Sequence, residues 1–311
     1  MSLANEKMIV KVPASTANLG SGFDSIGIAF QLYLTLEVQE AETMHFEWKG
    51  RDIEDITITD EDNLILQAMM KLFSLRKQQV PNLSIKVTSE IPLTRGLGSS
   101  ASAYVAGLVI ANELLEQPFT KDELFWFATE EEGHPDNVGA SIFGGVVLAS
   151  VNWEEKKVVY HKQSFPENWK WLAAIPSYTL STAHARNLLP EKYPKSDAIY
   201  NLSRYGILVS SILTANKEGM EFGLEDALHQ PYRKQLIPGF EQLLAEKKNL
   251  GVIGFVISGA GPTVLGLLER EQDHTQVMKY IQEVMTVEQH EVETFIIEVD
   301  QQGYTVLREK L

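Results

Sequence analysis

The chain of 311 residues is 44% hydrophobic and 22% charged, enough apolar mass for one large domain or two ordinary ones without covalent staples. Its 27 Lys and Arg against 42 Asp and Glu leave a formal charge of −15, which disfavours nucleic acid and anionic membrane surfaces as partners, and no run approaches the ~20 apolar residues of a membrane span. Zero cysteines exclude disulfides, thiolate metal sites and thiol nucleophiles, and a cytoplasmic protein is the expectation.

Residues 8–12 and 29–38 read as strands, the second with Leu32, Leu34, Leu36 and Val38 alternating. Residues 1–7 either belong to the native chain or precede a start at Met8. A glycine-rich turn, 13–24, lies between the two strands. Residues 37–62 hold ten acids against Lys49 and Arg51, a solvated strand edge and loop. Leu64, Ala68, Leu72 and Leu75 share one face of a helix over 63–77; a short strand at 83–87 runs into Pro92, and 99–115 is an alanine-rich apolar helix. A further helix covers 121–132, and 142–151 reads as a strand behind Gly144 and Gly145. The polar stretch 152–171, with Pro166, is the expected boundary between a domain over 8–160 and another over 168–311. Beyond it, 171–175, 252–257, 263–268, 293–299 and 303–309 read as strands, and 198–215, 220–228, 240–248 and 272–284 as helices. The irregular mixture gives an α+β class, and no internal repeat is visible.

Three turns carry the chemistry. Pro92, Leu93, Thr94, Arg95, Gly96, Leu97, Gly98, Ser99, Ser100, Ala101 and Ser102 join a strand to the alanine-rich helix. Small residues let backbone approach a ligand, and the helix start offers unpaired N–H groups and the positive end of the macrodipole, which suits a phosphate. Capping by Ser99 or Ser100 is the ligand-free alternative. No Lys follows the glycines, so this is not a P-loop, and a nucleotide here is held by backbone amides and a metal ion. The second turn, 13–24, places the polar Asn18 and Asp24 among small residues. The third, 258–263 with Gly259, joins two apolar strands.

Together the three turns resemble the GHMP small-molecule kinases, and the 13–24 turn reads like the homoserine kinase branch. The stretches Glu132-Gly133-His134-Pro135-Asp136-Asn137-Val138, 181–190 and 226–233 match that branch as well, so the resemblance spans residues 8 to 270. Two departures are visible: Gly139-Ala140 stands where Ala-Pro is usual, and Gln230 where Glu is common. The resemblance implies a GHMP kinase fold of two domains: an N-terminal mixed-sheet nucleotide-binding domain with a left-handed βαβ unit, and a C-terminal ferredoxin-like α/β sandwich. It implies transfer of the γ-phosphate of ATP, with Mg2+, to the side-chain hydroxyl of L-homoserine for threonine synthesis; a homodimer is the base-rate expectation for such an enzyme. A GHMP kinase for another alcohol, such as mevalonate, and a non-catalytic nucleotide sensor are the alternatives.

Under that resemblance the loop from Pro92 to Ser102, Asn63 and Gly259 hold the nucleotide, although a helix N-cap also explains Asn63. Glu132 and Ser100 offer hard oxygen ligands to the metal, with Glu130 as the fallback carboxylate. A zwitterionic substrate needs opposed charges: Arg186 and Arg233 suit its carboxylate, Asp24 and Asn18 its ammonium. His134 and Asn137 lie beside it, with Asn137 orienting the hydroxyl. Asp136 takes the hydroxyl proton, or positioning alone suffices. His184 and His229 are read as structural.

Overall fold

The computed structural model describes residues 3, 5–53, 58, 59, 61–287 and 290–310. Part of the acidic run (Glu54, Asp55 and Asp60) and residues 1, 2 and 4 of the N-terminal segment lie outside the described residues. In chain order the elements are β1 (Glu6–Asn18), β2 (Gly22–Glu40), β3 (His45–Gly50), α1 (Leu64–Leu75), β4 (Leu83–Ser89), α2 (Ser99–Leu114), α3 (Lys121–Glu132), α4 (Asp136–Phe143), β5 (Val146–Asn152), β6 (Lys157–Gln163) and β7 (Trp169–Pro176). There follow α5 (Thr182–Asn187), α6 (Lys195–Thr214), α7 (Lys217–Gly223), α8 (Gln230–Arg233), a 3-10 turn (Lys234–Leu236), α9 (Phe240–Glu246), β8 (Gly254–Ile257), β9 (Val264–Glu269), α10 (Thr275–Met285), β10 (Val292–Ile297) and β11 (Thr305–Lys310).

Two sheets form. The first runs β11-β1-β2-β4-β3, with β5 and β6 attached through β2, and its β3–β4 pair is parallel with α1 as the crossover. The second runs β10-β7-β9-β8, all antiparallel, and its β7-α-β8-β9-α10-β10 sequence is the ferredoxin-like arrangement expected. All eight residues of β7 are buried because the strand has a core on each face: Trp171, Ala173 and Ile175 pack into the core shared with the first sheet, while Leu172 and Ala174 face Phe240 and Ile281. Each large apolar side chain so buried contributes about 1.5–3 kcal/mol. Helix α2 is apolar all round because it is buried all round. A Cβ on Gly107 would lie 2.2 Å from Ile65 O, so α1 and α2 touch through backbone.

The helices at α1, α2 and α3 stand where hydrophobic spacing puts them. Other elements differ from the sequence reading. Strands β1 and β2 run deep into the glycine-rich segment, because Ala14, Ser15, Thr16 and Ala17 pair with residues 27–30 after a bulge at Pro13/Ala14. The turn that remains is residues 19–21, entered through Asn18 at φ 75. Strand β3 rises out of the acidic run with alternating exposure. Ile142 and Phe143 end α4 and do not begin β5, since Gly144 at φ 72 closes the helix. Strand β6 lies inside the expected boundary stretch and pairs with β5. The helix expected at 220–228 sits earlier, at Lys217–Gly223, capped by Asn216 Oδ1 on Gly219 N. The last two strands separate: β10 joins β7, whereas β11 returns to β1.

Candidate active site

Gly98, which holds φ 71, is the N-cap of helix α2, and no side chain among the described residues caps that end. Ser99 and Ser100 therefore leave the N–H groups of the first turn free for an anion, at the positive end of a 16-residue helix. The glycines are needed because the loop is wedged between β1 and the 258–263 turn. A Cβ on Gly96 would come 2.2 Å from Ser258 O, and one on Gly98 2.2 Å from Ser15 Oγ. Ser258 Oγ reinforces this junction, 2.6 Å from Gly96 O and 2.8 Å from Thr16 Oγ1.

Two cavities meet at this helix mouth and share Thr94, Ser99 and Ser100. The larger, about 440 Å³, has apolar walls that include Trp48, Ile53, Ile65, Ile91 and Leu93, a slot suited to a planar base. Asn63 lines it and also caps α1, its Oδ1 accepting from Ile65 N at 3.1 Å and Leu66 N at 3.2 Å. Both sequence readings of Asn63 are thus compatible, with Nδ2 the atom left for a ligand. The smaller cavity, about 110 Å³, is bordered by Asn18, Asp24, His134, Asn137, Arg186 and Arg233, all six residues expected to meet the substrate. Gly259 borders this cavity and not the apolar one.

Several expected nucleotide contacts sit behind these walls. Pro92, Leu97 and Ala101 are buried. Arg95 donates to Pro176 O, Ser177 O and Leu93 O and pairs with Asp52, so its side chain ties the loop to the end of β7. Ser102 Oγ lies 3.0 Å from Pro13 O and 2.9 Å from Gly98 O. Asn18 is spent too: Nδ2 donates to Gly259 O and Oδ1 accepts from Asp24 N, at 2.9 and 3.0 Å.

Charge in the smaller cavity is ordered by a few contacts. At the end of α3, Glu132 meets Ser100 Oγ at 3.4 Å, and burial pushes its carboxyl above the usual range. Glu130 points elsewhere and pairs with Lys71 at 2.8 Å. Asp136 opens α4 fully buried; its Oδ1 accepts from Asn137 N at 2.7 Å and meets His134 Nδ1 at 2.6 Å, while Oδ2 has no hydrogen-bond partner among the described residues. Burial alone would depress His134, but the Asp136 carboxylate outweighs it and pushes the imidazole up to about 9, so it is cationic at neutral pH. Asn137 donates to Ser15 Oγ at 3.0 Å. Arg186 forks onto Asp24 at 3.0 and 3.1 Å, which raises the guanidinium further. Arg233 is 2% exposed, and burial, then the Arg186 charge, lowers it. His184 is exposed and His229 fully buried.

Asp24, His134 and Asp136 cluster closely enough to hold a metal ion, but Arg186 and the imidazolium already answer those carboxylates. The Ser100 hydroxyl and Glu132 carboxylate, adjacent at the helix mouth, are the better fit for Mg2+, which favours one or two hard oxygen ligands beside phosphate. The sequence reading missed Ser15, which holds Asn137, and Leu180 and Thr182, which border the smaller cavity. Ser15 and Thr182 lay inside segments it had singled out, whereas Leu180 carried no signal. It also missed the apolar wall of the larger cavity, whose residues are scattered from Leu34 on β2 to Ala103 on α2.

Residues 63–145 match the family model of the GHMP kinases N terminal domain, and residues 207–287 that of GHMP kinases C terminal. A homoserine kinase of Petrotoga mobilis is 43% identical over 263 residues, 84% of each chain. One of Carboxydothermus hydrogenoformans is 42% identical over 259 residues, 83% of this chain and 84% of its own. The crystal structure of homoserine kinase from Cytophaga hutchinsonii aligns with a TM-score of 0.85 at 25% identity, covering 99% of both chains. Among the described residues no helix is long and apolar enough to cross a membrane.

Proposed function

The chain belongs to the homoserine kinases of the GHMP family, and we propose that its two joined cavities carry out ATP-dependent phosphorylation of the side-chain hydroxyl of L-homoserine. The observation that carries this reading is the junction itself: an uncapped helix mouth opens on one side to an apolar slot and on the other to a small cavity with both charge signs.

In this reading the base of ATP fills the slot beside Trp48 and Ile65, and the triphosphate lies on the N–H groups of Gly98, Ser99 and Ser100. Ser100 and Glu132 would hold Mg2+, which when bound screens the phosphate oxygens. Homoserine enters by dividing the Asp24–Arg186 pair: its ammonium takes the place of the guanidinium at Asp24, and its carboxylate lies between Arg186 and Arg233. Each ion so displaced regains a partner of opposite sign, which keeps the net electrostatic cost small. Asn137, held by Ser15, orients the hydroxyl. That oxygen forms the new bond to γ-phosphorus as the bond to the ADP oxygen breaks. Asp136 Oδ2, buried and without a partner among the described residues, is the atom available for the hydroxyl proton.

Positioning carries most of such a transfer. Pro92, Arg95, Leu97, Ala101 and Ser102, behind the cavity walls, act through the loop's shape. A division into units over 8–160 and 168–311, with β6 and β11 completing the first sheet, and a cytoplasmic homodimer belong to the same proposal. The cysteine-free composition and the prevalence of two-fold enzymes support the latter. The test is ADP release over homoserine, mevalonate, galactose and shikimate. Turnover with homoserine alone is expected, and its absence overturns the reading.

A further inference from the structure

Among the described residues, Arg233 is a buried cation with no carboxylate among its hydrogen-bond partners. Its Nη1 donates to Gly259 O at 2.9 Å and lies 3.4 Å from His229 Nδ1, while Nε makes no hydrogen bond among the described residues. Both hydrogens of Nη1 are therefore committed. The edge left to fork onto an anion is Nε with Nη2, the side-on edge of the guanidinium.

Which nitrogen of His229 carries the proton is dictated by its neighbours. Nε2 lies 2.9 Å from Gly20 O and 3.5 Å from Asp226 Oδ2, and both accept. Nδ1 faces a guanidinium that can only donate. The ring is thus the Nε2–H form with a bare Nδ1 lone pair. The Asp226 carboxylate is itself fixed, accepting from Leu228 N, His229 N and Gln230 N. The groups facing the ring are Gly20 O, Asp226, Arg233 and the more distant Asp24; burial, aided by the Arg233 charge, holds it neutral against the two carboxylates. Phe23 stacks on the imidazole at 5.3 Å and lies 5.5 Å from the Arg233 guanidinium, which fixes the ring plane.

We propose that His229, read at first as structural, is a positioning residue for substrate recognition: its bare Nδ1 and Gly259 O pin Nη1 of Arg233, so that the Nε–Nη2 edge is presented to the substrate carboxylate. This rests on the reading of Arg233 as a carboxylate ligand. Gly20, in the 13–24 turn, thereby sets the rotation of an arginine 213 positions later in the chain, through the imidazole between them.

The experiment is a double-mutant cycle in homoserine kinetics. His229→Gln keeps an amide donor for Gly20 O but leaves no acceptor at the Nδ1 position. It should raise the homoserine KM about tenfold, the upper end for one modest hydrogen bond, with the ATP KM unchanged. His229→Asn, whose shorter amide places its oxygen near Nδ1, should recover most of that loss. In an Arg233→Leu background, His229→Gln should change the homoserine KM by less than about twofold, since nothing is left to aim. Equal factors in both backgrounds, or a matching rise in the ATP KM, overturn the proposal. If Gln at 229 folds poorly, the Asn variant alone decides: a homoserine KM raised as far as by Arg233→Leu, in a protein of unchanged thermal midpoint, also overturns it. Loss of homoserine turnover in the unmodified enzyme would instead remove the functional reading beneath.

Discussion

Replacing Arg233 by leucine separates recognition from stability, because the two effects have opposite signs. In the cleft the guanidinium is 2% exposed, and the described hydrogen bonds of its Nη groups go to Gly259 O and His229 Nδ1. Its removal abolishes a charge-assisted fork onto the substrate carboxylate, and such bonds contribute about 1.5–3 kcal/mol. Arg186 keeps its own hold, so the homoserine KM should rise about 10- to 150-fold and the ATP KM should stay within about twofold. Stability moves the other way. A buried cation without a carboxylate partner costs several kcal/mol to desolvate, and an apolar chain of similar length removes that cost. Against this stand two lost hydrogen bonds, one of them to Gly259 O, which keeps Asn18 Nδ2 as a donor. The folded state should end unchanged or about 1 kcal/mol more stable. The assay is coupled ADP release at varied homoserine and saturating ATP, with urea unfolding on the same preparations. A variant that unfolds more easily while its homoserine KM is unaltered would refute the reasoning, because the arginine would then be a structural member and not a ligand.

Glu132→Gln should lower kcat about 10- to 100-fold and flatten its dependence on magnesium, whereas Glu130→Gln, which breaks a surface pair with Lys71, should leave both unchanged; an unaltered magnesium titration in Glu132→Gln would contradict the assignment. Gly98→Ala forces a Cβ to within 2.2 Å of Ser15 Oγ at φ 71, so a loss of about 1–2 kcal/mol from the backbone alone and a raised ATP KM are expected; unchanged nucleotide affinity would place the phosphates elsewhere. His134 has a folded pKa of about 9, above the ~6.5 of an unfolded chain. Its raised value contributes stability fully present below about pH 6.5 and lost as pH rises through 9, on the order of 3 kcal/mol. The stability gap between the parent and His134→Gln should therefore narrow between pH 6.5 and 9, and a gap independent of pH would show that the imidazolium is not held by Asp136.

Much of this site could be read from residue order because its chemistry sits in continuous segments. The Gly96–Ser100 loop stands at the head of an alanine-rich run whose apolar character announces a buried helix, and the bend of the 13–24 segment is signalled by its glycines. What escaped was set by partners distant in the chain. Helix α4 is eight residues long and wholly buried, so no polar face marks its period. Strands β3 and β6 are charged and half exposed, and hydrogen bonds from β4 and β5 make them strands. That β11 leaves β10 to join β1 depends on which sheet has an open edge, which no local pattern encodes. The same holds for side chains. Asn18 and Arg95 have the residue types expected of ligands, yet their polar atoms are consumed by Gly259 and by the end of β7. His229 looked unremarkable until Gly20 and Arg233 were seen on its two nitrogens.

The most direct measurement is a crystal structure of the enzyme with a non-hydrolysable ATP analogue, Mg2+ and L-homoserine. The account predicts the triphosphate on the N–H groups at the start of α2, the base between Trp48 and Ile65, and the amino acid astride the former Asp24–Arg186 pair with its carboxylate on Arg233. An analogue bound away from this helix, or homoserine docked without contact to either arginine, would contradict it.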